Sequence, residues 1–153
     1  MSDVKSVAGG WLGTFYYANR TLLPVRFEAT FARLSEKGDG AERFNGSIMD
    51  DDGGHGDAQV SQGVQQGTFV RFVKTYTPPM PGLFPVHYVG TLSAEGRLLT
   101  GHWKITLVQN RHARAREITG TWEARRRWTA DADDAADESG AGIGRERELV
   151  GAR

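Results

Sequence analysis

The sequence contains no cysteine. Disulfide scaffolds, thiolate-held zinc, iron–sulfur clusters and cysteine nucleophiles are therefore excluded. It carries no net charge, with 19 Lys+Arg against 19 Asp+Glu, so it lacks the basic excess of a general nucleic-acid binder, and no nucleic-acid partner is expected. No apolar run approaches the roughly 20 residues that cross a bilayer as a helix. Met1 to Gly10 holds one Lys and no long apolar stretch, so no leader is visible. A cytoplasmic protein with no membrane span is the expectation. Helical periodicity is nearly absent before residue 125. No nucleophile elbow, P-loop or dinucleotide fingerprint is present, and no cofactor is expected.

What is present is short alternating segments separated by turn residues, the pattern of an all-β chain. The 153 residues suit one domain. Eight strands are expected, over 10–17, 25–34, 43–50, 57–64, 67–76, 86–92, 98–107 and 116–125. Asn19, the Gly38 to Gly40 segment, Gly53 and Gly54, Gln65 and Gln66, the proline-rich stretch from Pro78 and Gly96 mark the connections. Residues 1–9 read as a flexible lead-in and 10–125 as the barrel domain. The stretch 126–153 is a charged tail, rich in Ala, Asp, Glu, Ser and Gly from Asp131 to Gly144 and read as disordered.

Glycine, at 20 residues, is about twice as frequent as usual, and part of the excess is patterned. An apolar residue, a glycine and a second apolar residue recur at two-residue spacing. The sets are Trp11–Gly13–Phe15, Phe44–Gly46–Ile48, Tyr88–Gly90–Leu92, Leu99–Gly101–Trp103 and Ile118–Gly120–Trp122. Period two puts each set on one strand face. Glycine weakens a strand, so a shared phase needs a reason, and a small closed barrel supplies one. Glycine permits sharp bending and lets a ring from the next strand lie over its backbone. The alternate positions (Thr14, Asn45, Ser47, Thr100, Lys104, Thr119, Thr121 and Glu123) suit water. The expected fold is an all-β, eight-stranded antiparallel up-and-down β-barrel with its glycine-bearing face inside. A β-sandwich is the alternative, although it usually requires Greek-key crossovers.

With that pattern, the chain resembles the calycin-type barrels: lipocalins, fatty-acid-binding proteins and avidins. Gly9-Gly10-Trp11 is similar to the lipocalin entry motif Gly-x-Trp. Leu99-Thr100-Gly101-His102-Trp103 and Ile118-Thr119-Gly120-Thr121-Trp122 are similar to the Leu-Thr-Gly-x-Trp/Tyr strands of avidins, and Val70 to Lys74 fits the avidin order before a long loop. The likeness spans about residues 10–125 and is nearest to small bacterial barrels of uncharacterised function. The polar residues that hold biotin in avidins have no counterparts that can be placed here. The resemblance therefore implies a barrel with an internal cavity and no named ligand.

Polar residues at the inward phase carry what chemistry there is. Asp50 continues Phe44, Gly46 and Ile48, and Tyr17 continues Trp11, Gly13 and Phe15. The fifth strand is ambiguous: either Val70, Phe72, Lys74 and Tyr76 face inward, or Phe69, Arg71, Val73 and Thr75 do. The resemblance favours Phe72 inward, which brings in Lys74 and Tyr76 and sets Tyr88 nearby. A buried lysine is costly unless paired, and Asp50 or a ligand anion is its natural partner. An inward Arg71 would instead suit a carboxylate or phosphate.

Three functions follow. The first is binding of a small, mostly apolar molecule in the barrel, walled by Trp11, Phe15, Phe27, Phe31, Phe44, Phe72, Trp103 and Trp122, rimmed by Tyr17, and oriented by Lys74, Tyr76, Tyr88 and Asp50. The second is cyclase- or isomerase-type catalysis, with Lys74 and Tyr88 polarising a carbonyl and Asp50 taking a proton, an analogy from fold alone. The third is a filled barrel acting as a structural or interaction module through the Pro-rich loop and the tail, with the polar network merely closing one end of the barrel.

Other features read as ordinary surface. The Asp50 to Asp57 turn lacks calcium-loop spacing. His55, His87, His102 and His112 lie apart and show no metal-site spacing, so no metal is expected. Six arginines between Arg111 and Arg127 form a solvated cluster or an anion patch. Trp128 anchors the tail or joins an interface. The loop from Thr77 to Pro85, with four prolines, is either a lid or a homodimer contact.

Overall fold

The computed structural model describes residues 4–34, 40–51, 54, 56–77, 84–107 and 116–130. Its strands are β1 (Gly9–Tyr17), β2 (Val25–Arg33), β3 (Glu42–Asp50), β4 (Asp57–Gln66), β5 (Phe69–Tyr76), β6 (Val86–Leu92), β7 (Leu98–Leu107) and β8 (Arg116–Thr129). Each pairs antiparallel with the next, and β1 pairs with β8, so the sheet closes into a barrel. Closure leaves no free sheet edge and sets aside the sandwich. The architecture is compatible with a calycin-like fold. Among the described residues, no helix is long and apolar enough to cross a membrane.

The glycine-bearing phase faces the interior. Trp11, Phe15, Phe44, Ile48, Tyr88, Leu92, Leu99, Trp103 and Trp122 are all buried, while Asn45, Ser47, Thr100, Lys104, Thr121 and Glu123 are exposed. Rings cover several of the glycines. A Cβ on Gly13 would lie 2.3 Å from the Phe27 ring, one on Gly90 would lie 2.7 Å from Trp122, and one on Gly120 would lie 2.5 Å from Trp103. The indoles then donate across the wall: Trp122 Nε1 to Val89 O at 3.0 Å, and Trp103 Nε1 to Tyr16 O at 3.2 Å.

The structure redraws three boundaries. The β4–β5 turn lies at Gly67 and Thr68, two residues beyond Gln65 and Gln66, because Gly67, with φ at 60°, takes the left-handed conformation of a tight hairpin. Gln65 instead points inward, accepting from Val7 N at 2.8 Å and donating to Lys5 O at 2.7 Å. The barrel does not end at 125, since β8 stays paired to β1 as far as Thr129. Of the segment before β1, the described residues pack against the barrel. Val7 is fully buried, and Trp11 Nε1 donates to its carbonyl at 2.9 Å.

Arg126 holds that segment down. Its guanidinium lies 4.5 Å from the Trp11 ring centroid and donates to Ser6 O at 2.6 Å, Ala8 O at 3.1 Å and Gly96 O at 2.7 Å. One end of the barrel is thus closed by residues 5–8, Gln65 and Arg126. The other end carries the β1–β2, β3–β4, β5–β6 and β7–β8 connections. The strand-terminal residues there (Tyr17, Asp50 and Tyr76) bring the polar inward side chains together.

Candidate functional site

Two strands supply the centre of the site. On β3, period two brings Asp50 inward after Phe44 and Ile48, and on β5 it brings Lys74 and Tyr76 inward after Phe72. Between them, β4 presents Ala58 opposite both Ile48 and Tyr76, and Val60 opposite Lys74. These short side chains let Asp50 reach over β4. Lys74 Nζ donates to Asp50 Oδ1 at 2.8 Å, and the Tyr76 hydroxyl donates to Asp50 Oδ2 at 2.6 Å. Asp50 and Lys74 are both buried. Gly54, in the turn after β3, lies against Asp50, where a Cβ would come within 2.3 Å of the Asp50 side chain.

The ammonium sits in an aromatic cage. Lys74 Nζ is 4.7 Å from the Phe15 ring centroid, 4.6 Å from Tyr76 and 5.9 Å from Tyr88. Burial pushes the Lys74 pKa down, and the Asp50 carboxylate beside it opposes that shift. Burial and the hydrogen bond to Asp50 push the Tyr76 phenol well above its ordinary range. Tyr88 and Tyr17 are also raised, first by burial and then by the field of Asp50. All three phenols therefore stay protonated at neutral pH and are able to donate.

Two of these phenols, half-buried Tyr17 and fully buried Tyr88, make no hydrogen bond among the described residues, and Tyr88 is the one withdrawn from water. Tyr88 is buried, and among the described residues no group accepts from or donates to its hydroxyl. An unmet buried hydroxyl costs about 1–3 kcal/mol. Its ring is fixed by stacking on Phe72 at 4.8 Å between centroids and by an edge contact with Trp122 at 5.4 Å. The Asp50 carboxylate is the charge whose field reaches it. Half-buried Tyr17 meets Phe15 and Trp103 edge-on, at 5.8 and 5.4 Å. Tyr17, Asp50, Lys74, Tyr76 and Tyr88 thus occupy one end of the barrel.

The rings expected to wall a cavity lie close to one another. Phe31 lies 5.0 Å from Phe44 and 5.3 Å from Phe72, and Phe15 lies 6.4 Å from Phe27 and 5.9 Å from Trp103. Trp11 packs among residues at the plugged end. The middle of the barrel is a core, and its polar groups gather at the loop end.

The fifth-strand ambiguity resolves with Phe72 and Lys74 inward and Arg71 exposed. His87 and His102 face outward. Among the described residues, no group of three or more metal-binding side chains is placed to hold an ion. The arginine run is not one patch: Arg116 begins β8, whereas Arg125 pairs with Leu98 and Leu12 near the opposite end. Trp128 lies half-exposed over Gly10, so it belongs to β8 rather than to the tail. His55, His112, Met80, Leu83, Arg111, Arg114 and the tail from Asp131 onward lie outside the described residues.

Sequence reasoning missed Arg126 and Gln65. Both look like members of polar runs, and only the β1–β8 pairing and the position of the β4–β5 turn bring them to the barrel end. Comparison with protein-family models, with curated proteins and with solved structures finds no match.

Proposed function

We propose that the protein binds one small, mostly apolar molecule at the loop end of its barrel. The unpartnered Tyr88 hydroxyl beside the Asp50–Lys74 pair carries this reading. A protonated phenol fixed in an aromatic surround is a hydrogen-bond donor waiting for an oxygen acceptor, such as a carbonyl, ether or hydroxyl on an otherwise apolar ligand. Phe15, Tyr17 and Trp103 supply the apolar contact. Asp50 already accepts from two donors, so in this reading it positions Lys74 and Tyr76 rather than taking a proton. Kinship with calycin barrels belongs to the same proposal and rests on the Gly-x-Trp entry at Trp11 and the paired Thr-Gly-x-Trp strands.

Native mass spectrometry of the protein purified from its own host tests the reading. The expected result is an added mass of a few hundred daltons that is lost on denaturation. Tyr88→Phe, which removes one oxygen and keeps the ring, should retain about a tenth as much ligand or less. A bare mass for the wild type, or equal retention by the variant, would overturn the proposal.

A further inference from the structure

A second groove lies on the outer wall; Tyr17 and Trp103 border it from the barrel side, while Asp50, Lys74, Tyr76 and Tyr88 do not line it. Ala18 N still bonds Thr119 O at 2.9 Å, so the β1–β2 connection leaves the barrel late. Asn19 then folds it back, its side chain accepting from Thr21 N at 3.0 Å and its carbonyl accepting from Leu22 N at 3.1 Å. This turn overhangs the outer face of β6, β7 and β8 and encloses a groove of about 1040 Å³. Tyr16, Leu22 and Val89, all exposed, give it apolar surface. An adjoining depression of about 500 Å³ shares Tyr16 and Val89 and continues the apolar strip to exposed Phe69.

The charge in the larger groove is one-sided. Arg20, His87, His102 and Lys104 line it, and among the described residues no carboxylate does. Strand register brings the bases together: His87 stands opposite Lys104, and His102 opposite Val89 on the same face. Among the described residues, two acids at its margin are engaged. Glu123 accepts from the Tyr16 hydroxyl at 3.2 Å, and Glu117 meets Lys104 only at 3.9 Å with both side chains solvated. Basic groups directly opposite one another disfavour each other once charged, and an anion between them removes that conflict.

We infer that this groove binds a small amphipathic anion, with an apolar or aromatic body along Tyr16, Val89 and Leu22 and a carboxylate or sulfonate at Lys104, His87 and Arg20. The probe is 1-anilinonaphthalene-8-sulfonate, titrated into the full chain by calorimetry and by amide chemical shifts. One equivalent should bind, with the largest shifts at Leu22, His87, Val89 and Lys104. Arg20→Met with Lys104→Met removes charge and keeps apolar stems, and should weaken binding about tenfold or more. Tyr88→Phe should leave this affinity unchanged, which separates the groove from the interior site.

Unchanged affinity in the double Met variant, or shifts centred elsewhere, would overturn the inference. So would tenfold tighter binding to a chain ending at Ala130, which would make the acidic stretch from Asp131 to Glu138 the occupant. Binding that splits a dimer would make a second copy the occupant and overturn it equally.

Discussion

Lys74 and Asp50 meet at 2.8 Å inside the barrel wall, bridging over β4, with both side chains withdrawn from water. Neither charge is tolerable there alone. The ion pair, the Tyr76 hydroxyl and three ring faces together offset the loss of hydration, and the result is a fixed polar floor at the loop end. Removing one partner from such a pair typically costs about 3–5 kcal/mol. Urea unfolding of Lys74→Met should show a loss of that size. Adding Asp50→Asn, which still accepts from Tyr76, should recover part of it. Equal stability of wild type and Lys74→Met would show that the pair is not maintained in solution.

High pH should weaken the fold. Tyr76 and Tyr88 have folded-state pKa values raised above the ordinary value near 10. Below that value both states hold the proton. Above it, the unfolded chain releases the proton while the folded chain keeps it, so stability falls by about 1.4 kcal/mol per pH unit for each such phenol. Lys74, whose pKa is lowered, acts oppositely: its cost is relieved as pH approaches 10.5. Two phenols outweigh one amine, so the midpoint of thermal unfolding should drop as pH rises past about 10. Tyr76→Phe and Tyr88→Phe should each flatten the slope, as scanning calorimetry across that range would record.

Gly120 should resist substitution. A Cβ there would stand 1.9 Å from Tyr16 O as well as against the Trp103 indole. Gly120→Ala should therefore cost about 2 kcal/mol or more through strain at the β1–β8 seam. Gly67→Asn, in a left-handed turn with open space around it, should cost less than about 1 kcal/mol. Chemical denaturation of the two variants compares them directly.

Arg126→Ala should loosen the plugged end without unfolding the barrel. Ser6 O and Gly96 O lose the Arg126 donor and Ala8 O keeps only Ala130 N, so the Val7 amide, held by Gln65 Oε1, should lose hydrogen-exchange protection. Amides in the β6–β7 ladder should keep theirs. Uniform loss across all strands would instead make Arg126 part of the global core.

Much of this fold was legible in the chain because its information is periodic. Trp103, Gly101 and Leu99 announce a face, and Gly120 explains itself once the Trp103 ring lies over it. Asp50 and Tyr17 were found by extending the same count. The count fails where the backbone changes phase. A bulge at Ser61 and Gln62, the latter at φ 55°, shifts the buried positions of β4 from Ala58 and Val60 to Gly63 and Gln65. On β5, apolar Phe69 and Val73 lie off the inward phase, so periodicity alone could not exclude Arg71. Arg126 sits between two exposed arginines, and nothing local distinguishes it. The outer groove arises from pairing between β6 and β7 and from the fold of the β1–β2 turn, which no single segment encodes. Whether the aromatic rings wall a cavity or fill it depends on distances across the barrel axis that the sequence does not carry.

The most direct test of the central claim is a crystal structure of the protein purified from its own host, read at the Tyr88 hydroxyl. An oxygen atom of a bound organic molecule within hydrogen-bond distance, with its apolar body against Phe15, Tyr17 and Trp103, is the predicted result. A hydroxyl satisfied by one of the chain's own groups, or by a lone water, would contradict it.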